Sequence, residues 1–338
     1  MTHVPVLEIG GTHVTAALVD MTTRPPVTGT VVRRPVPADG GAAEILDTFA
    51  DAARHLAAPH RAHWGVAVPG PFDYAAGIGR FRGIGKFEAL HGVDVGAELR
   101  DRLPDPRAVS FLNDADAFAI GEHHGADLPK PRRSVCVTLG TGVGSSFLRD
   151  GHPVTDGPDV PPEGRAHRIT VDGRPLEEAV SRQAIRERYA RAAGRVEAPD
   201  VSVIAELARR ADPHAAATIS GCFTTLGRAL APWCAAFRPE AMVVGGSMAA
   251  SWDLIGPALR AGLTAGAEAA GPGAVAVVAT MDLRTARRPE DAPLIGAAHW
   301  ATGRGREGGP PGPLEAKPGP LAEGASPFEA PEAGHSLQ

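Results

Sequence analysis

One pattern occurs twice in this chain, and it limits the possible folds more than any other feature. An apolar run enters a turn of glycine and threonine, and a second apolar run leaves it. The first instance is Val4–Ile9, Gly10-Gly11-Thr12, Val14–Val19; the second is Val135–Leu139, Gly140–Gly144, Ser145–Leu148. Either one alone reads as a hairpin turn, because glycine reaches positive φ without steric cost. Repeated, with a further strand and helices after each, the pattern predicts two halves of similar plan across a cleft. Successive backbone N–H groups in such turns form a concave site for an anion. A phosphate chain could then be gripped from both sides, with Thr12 adding a hydroxyl. Glu8 lies in the strand that enters the first turn. A carboxylate beside phosphates makes sense with a cation between them, and Mg²⁺, held by oxygen ligands and water, is the expected one.

The rest of the chain fits an α/β protein. Strands are expected at Val27–Pro35, His63–Pro71, Val109–Leu112, Ala241–Met248 and Val275–Ala279. Helices are expected at Ala42–Leu56, Val93–Leu103, Ala115–His124, Leu176–Gly194, Val201–Phe237, Trp252–Gly262 and Pro293–Thr302. In the first of these, Ile45, Leu46, Phe49 and Ala53 recur at core-facing spacing. Asp114 stands near the start of the third, where aspartate is a common cap. With 338 residues there is room for two domains. The expected division is 1–116, 117–289, and a helix within 290–303 that packs back on the first domain. Fourteen of the 34 residues from Gly305 onward are Gly or Pro. Such a segment buries too little surface to offset its ordering entropy, so 304–338 is expected to be a disordered tail.

Net charge is −5, which provides no basic footprint for nucleic acid or an anionic membrane. No apolar run is long enough to span a bilayer, and the N-terminus lacks a secretory pattern. The three cysteines, Cys136, Cys222 and Cys234, are odd in number and widely spaced. They suggest neither a disulfide framework nor a CxxC metal site. A cytoplasmic protein is expected.

Five segments, in order, resemble the ROK family of sugar kinases and related repressors: "EIGGTHVTAALVD", "GVAVPGPFD", "FLNDADAFAIGE", "VTLGTGVGSSFLRDG" and "FRPEAMVVGGSM". The likeness runs over about residues 4–302. It implies the actin/hexokinase-type fold, two ribonuclease-H-like α/β domains flanking a nucleotide cleft. It also implies roles. Gly10, Gly11, Thr12 and His13, with Gly140, Thr141 and Gly142, would hold the phosphates of ATP, and Gly245 and Gly246 would border its adenosine. Asp114 would be the catalytic base. Asn113, Gly70, Glu163, His167 and Glu177 would meet the substrate's hydroxyls, with Glu178 left as a solvated charge. Relatives of this kind often form homodimers. The first motif starts at residue 6 with no DNA-reading module before it, which favours a kinase over a repressor.

The chain departs from the family pattern in several places. Glu8 stands where an Asp is usual, and would still serve Mg²⁺, directly or through water. The segment "PPEGRAHRITVDGRPLEEAVS" has no cysteine where the family has a Cys-rich knot, so no structural zinc is expected. Glu163 lies four residues before His167 rather than three. Arg80, Arg82 and Lys86 occupy a stretch that is Asn-rich in the family; they read best as surface charges. The expectation is an ATP- and Mg²⁺-dependent kinase of a primary hydroxyl on a hexose or a sugar-like C7 cyclitol. The alternative is a non-catalytic sugar sensor on the same fold.

Overall fold

The computed structural model describes residues 3–23, 27–125 and 130–303. The expectation for 304–338 lies outside them. The first sheet is laid on β1 (His3–Ile9), a nearly continuous apolar strand buried on both faces. β2 (His13–Asp20) and β3 (Val27–Pro35) continue antiparallel on one side of it. β4 (Ala62–Val68) and β5 (Pro106–Asn113) lie parallel to it on the other. The order is therefore β3-β2-β1-β4-β5.

The second sheet repeats this plan strand for strand. β6 (Arg133–Leu139), β7 (Val143–Arg149) and the short β8 (His152–Pro153) form the antiparallel part. β9 (Ala241–Gly245) and β10 (Asp282–Thr285) are parallel to β6. In each sheet the carboxyl ends of three parallel strands come together, the usual place for a ligand in such architecture. Ile9, Val68 and Asn113 end the first set, and Leu139, Gly245 and Thr285 end the second.

Each sheet has its own core, with Trp64, Phe49 and Ile45 in one and Phe147, Phe223 and Phe237 in the other. A third core joins them. It is built by α3 (Asp114–His124) and α10 (Ala292–Ala301), whose Phe118, Ile120, Leu294 and Ala298 meet Val6 and Ala17 of the first sheet and Cys136 and Val243 of the second. Burying a side chain such as Phe118 contributes roughly 1.5–3 kcal/mol. The two helices approach closely because they meet at glycines. A Cβ on Gly121 would overlap the backbone of Ala292, and one on Gly296 the backbone of Ala117. The division expected at 116/117 falls inside α3, whose residues pack on both sheets.

Several helical boundaries differ from the sequence reading. Val275–Ala279 is not a strand but part of α9 (Pro272–Thr280). Short apolar runs are ambiguous between the two states, and here Pro272 at the first helical turn starts a helix. The strand comes afterwards, as β10. Leu176–Gly194 divides into α4 (Glu177–Val180) and α5 (Arg182–Ala192), because the Ser181 hydroxyl accepts from the Ala184 N–H and caps the second helix. Val201–Phe237 likewise divides into α6 (Val201–Arg209) and α7 (Pro213–Phe237), with Asp212 capping and Pro213 starting the latter. α8 runs from Trp252 to Ala270, eight residues beyond the expected end. Among the described residues no helix is long and apolar enough to cross a membrane.

Candidate active site

The two glycine turns are tight. The Gly10 N–H donates to the His13 carbonyl at 2.8 Å, and the Gly140 N–H donates to the Gly142 carbonyl at 3.1 Å. The first turn opens on a cavity of about 870 Å³. One wall holds Glu8, Gly10, Thr12 and His13; the other holds Gly245, Gly246, Ser247 and Trp252. Gly140 lies behind Ser247, whose Oγ would be 3.9 Å from a Cβ at that glycine. Gly246 has φ +82°, and a Cβ there would overlap the backbone of Leu139, so the β9 turn needs a glycine. Thr141 is exposed at the tip of its turn, and His13 Nδ1 lies 2.9 Å from Thr12 Oγ1.

Asn113, not Asp114, caps α3. Its Oδ1 accepts from the Ala115 N–H at 3.1 Å, and its Nδ2 donates to the Tyr74 hydroxyl at 3.0 Å. Asp114 is the first helical residue and is half-buried. Loss of water pushes its carboxyl above the usual range. Its bond from the Ala115 N–H opposes this, as do the charges of Lys86 and Arg165. Gly70 lies beside the same Tyr74 hydroxyl, 3.4 Å from a Cβ built on it. Burial pushes that phenol upward, so it stays neutral and donates to the Val68 carbonyl.

Glu8 sits in a cross-strand row, opposite Thr15, which is opposite Arg33. Burial raises its pKa to about 7, and the Asp114 charge adds to the rise; Arg33 and a hydrogen bond from Thr15 act the other way. A carboxylate held so far from its ordinary range suits a divalent cation, which would relieve both causes. Among the described residues no group of three or more His, Cys, Asp and Glu side chains could hold a metal ion. Mg²⁺ does not require one, because it is often held by one or two carboxylates together with substrate phosphates. Glu8 and the Thr12 hydroxyl fit that description.

The remaining expected residues divide. Glu177 accepts from the Val143 N–H at 3.2 Å and lies against Gly142, while Glu178 is exposed. His167 is half-buried near Glu177, and burial lowers its pKa. Glu163 is not gathered with them. It is 62% exposed and paired with Arg168 at 2.7 Å. The residue that enters the site from this segment is Arg165, which the sequence reading missed. Its guanidinium donates to both oxygens of Asp116 at 2.9 and 2.7 Å and to the Ser145 carbonyl at 2.9 Å. The segment is stitched to β7 at Ser145, whose hydroxyl donates to the Gly164 carbonyl and accepts from the Ala166 N–H.

Lys86 corrects a second reading. It is half-buried rather than a surface charge, and its Nζ would be 3.6 Å from a Cβ on Gly11. It is also the first charge to pull the Asp114 carboxyl downward. Tyr74 and Lys86 carried no signal in local sequence, because both come to the site from the loops between β4 and α2 (Val95–Arg102).

Comparison with known proteins gives the family and the fold. The sequence profile of the ROK family matches residues 5–304. A glucokinase of Thermotoga maritima is 28% identical over 217 residues, 58% of this chain and 67% of that one. The ROK hexokinase of Thermus thermophilus superposes with a TM-score of 0.70 at 23% identity, over 90% of this chain and 100% of that one. A ROK family glucokinase from Streptomyces griseus, solved with glucose and AMPPNP, superposes with a TM-score of 0.66 at 21% identity, over 89% and 99% of the two chains. These structures share the fold, the α/β arrangement of two ribonuclease-H-like domains expected from the sequence.

Proposed function

The chain belongs to the ROK family, and on that premise we propose that it is an ATP-dependent sugar kinase, acting on a primary hydroxyl of a hexose or a sugar-like C7 cyclitol. One observation carries this reading: the Asp114 carboxyl, at the start of α3, and the Gly10–Thr12 turn share a neighbour in Lys86. A proton acceptor and an anion-binding turn are thus brought to one place, as in-line phosphoryl transfer requires.

ATP would occupy the cavity of about 870 Å³ between Thr12 and Gly246. Its phosphates would lie along the Gly10–Thr12 turn, beside the Gly11 N–H, the Thr12 hydroxyl and His13, while the Gly140–Gly142 turn, covered by Glu177, would face the acceptor. Its adenosine would lie along Gly245, Gly246 and Trp252. Mg²⁺, held by Glu8 directly or through water, would neutralise phosphate charge. The acceptor would sit between Asn113, Gly70, His167 and Glu177, with Arg165 and Asp116 forming a fixed polar wall. Glu163, tied to Arg168, drops from the acceptor set. Asp114 takes the proton of the attacking hydroxyl; its raised pKa brings it nearer to a hydroxyl's need at neutral pH. A hydrogen-bonding wall rejects acceptors that leave its buried polar groups unpaired. The reading includes a homodimer in the cytoplasm, tested by light scattering and by fractionation.

A coupled ADP-release assay over hexoses, amino sugars and cyclitols tests the proposal. Turnover on at least one member is expected, and the preferred member decides between hexose and cyclitol. The second reading, a sugar sensor, is favoured by Glu8 in place of the usual Asp. It predicts saturable binding with no ADP release.

A further inference from the structure

The loop that carries Lys86 is built to hold it still. The Glu88 carboxylate accepts three backbone N–H bonds, from Gly83 at 3.1 Å, Ile84 at 2.6 Å and Gly85 at 3.0 Å. Gly83 and Gly85 both have positive φ, which lets the backbone curl around that carboxylate. Phe87 follows with its ring fully buried against Phe49 and Phe81, and its N–H donates to the Ala38 carbonyl at 2.8 Å. The residue between these two anchors is Lys86. Its stem lies along Gly11, with Cδ 3.4 Å and Nζ 3.6 Å from a Cβ built there. Among the described residues no ion pair or hydrogen bond engages its ammonium group.

A rigid loop that aims an unengaged cation at an anion-binding turn, on the side nearer the base, has a specific use. We propose that Lys86 binds the terminal phosphate of the nucleotide on the Gly10–Thr12 turn and stays with the phosphoryl group as it transfers. This rests on the kinase reading above. In the step, the acceptor oxygen forms a bond to the γ-phosphorus and the bond from that phosphorus to the β–γ bridging oxygen breaks. ADP leaves with that electron pair, and the acceptor proton goes to Asp114. Lys86 takes no part in the proton transfer and acts by position and charge. A fixed cation aimed at transferring oxygens is an effective stabiliser because it needs no reorganisation during the reaction.

The other use of the same cation is recognition of an anionic acceptor, and the test separates the two. Calorimetric titration compares AMPPNP with AMP on the wild-type chain, Lys86→Met and Lys86→Arg, with thermal melts confirming folding. The expected result is about a tenfold loss of AMPPNP affinity in Lys86→Met, AMP affinity within about twofold, and partial recovery in Lys86→Arg. With saturating ATP, kcat should fall about a hundredfold in Lys86→Met while the acceptor KM holds. Equal losses for AMPPNP and AMP overturn the proposal. So does a loss confined to the acceptor KM, which would assign Lys86 to the acceptor. A wild-type chain that binds AMPPNP but phosphorylates nothing would overturn the kinase reading, while a Lys86-dependent preference for AMPPNP over AMP would still support the phosphate contact.

Discussion

The two glycine turns share a backbone plan but not an environment. Gly10–Thr12 and Gly140–Gly142 each close a hairpin at the start of a five-stranded sheet of the same strand order. Against Gly11 lies the ammonium of Lys86; against Gly142 lies the carboxylate of Glu177. A turn of backbone N–H groups will accept any anion, so the side chain laid across it decides what else is admitted. A cation there favours a phosphate. A carboxylate already on the Val143 N–H disfavours one at that spot, and instead offers an acceptor to a hydroxyl. Repetition of a fold motif therefore does not imply repetition of its task.

The sharpest attack on this contrast is at Asp114, the proposed base. Asp114→Asn should cut kcat by about 10²–10⁴-fold with acceptor KM within about tenfold, since it removes a proton acceptor more than a contact. A variant that kept most of its rate in the ADP-release assay would show that the base is elsewhere.

Next comes Glu8, the charge on the first turn's side. Its pKa rises from 4.5 to about 7 on folding. Below pH 4.5 it is protonated in both states and costs nothing. Across pH 4.5–7 the folded chain holds its proton while the unfolded chain releases it, so stability falls as pH rises, and the loss is complete above 7. Glu8→Gln cannot titrate. Without nucleotide or metal it should be more stable than the wild type at pH 8, by on the order of 2 kcal/mol after allowing for partial exposure, and about equal at pH 4.5. Melting curves at both values check this; a difference that does not change with pH would contradict it.

The contrast itself is tested by a matched pair of substitutions. Gly142→Ala pushes a methyl into Glu177 and should raise the acceptor KM about tenfold, leaving AMPPNP affinity nearly unchanged. Gly11→Ala pushes one toward the Lys86 stem and should weaken AMPPNP about threefold, leaving the acceptor KM alone. Exchanged outcomes would reverse the assignment of the two turns. The smallest effect is expected of Glu163→Ala. An exposed ion pair with Arg168 contributes about 0–1 kcal/mol, and acceptor KM should stay within about twofold.

Legibility in the sequence followed the same division. The side proposed for the nucleotide was readable as structure, because glycines at a turn and apolar runs around it are local signals: β1, β2, β6, β7 and β9 all emerge where the pattern predicts them. The acceptor side was less so. Lys86, Tyr74 and Arg165 come from three loops, and only the tertiary fold brings them near Asp114. Glu163 matched the family spacing loosely, but its backbone is turned to φ +57° and its side chain points to Arg168. The strand expected at Val275–Ala279 failed for a different reason: five apolar residues carry no period, and Pro272 decided the state.

The pairing of α3 with α10 ties the Asp114 carboxylate to a helix that follows it much later in the chain. Asp114 begins a helix whose bare glycine faces press on residues 292–301, nearly two hundred positions downstream. On a ribosome, that support is missing until residues 292–301 have been made. A half-made copy, though it already contains the first turn and Asp114, has nothing to brace that helix against, so the position of the carboxyl is set only when the later helix docks.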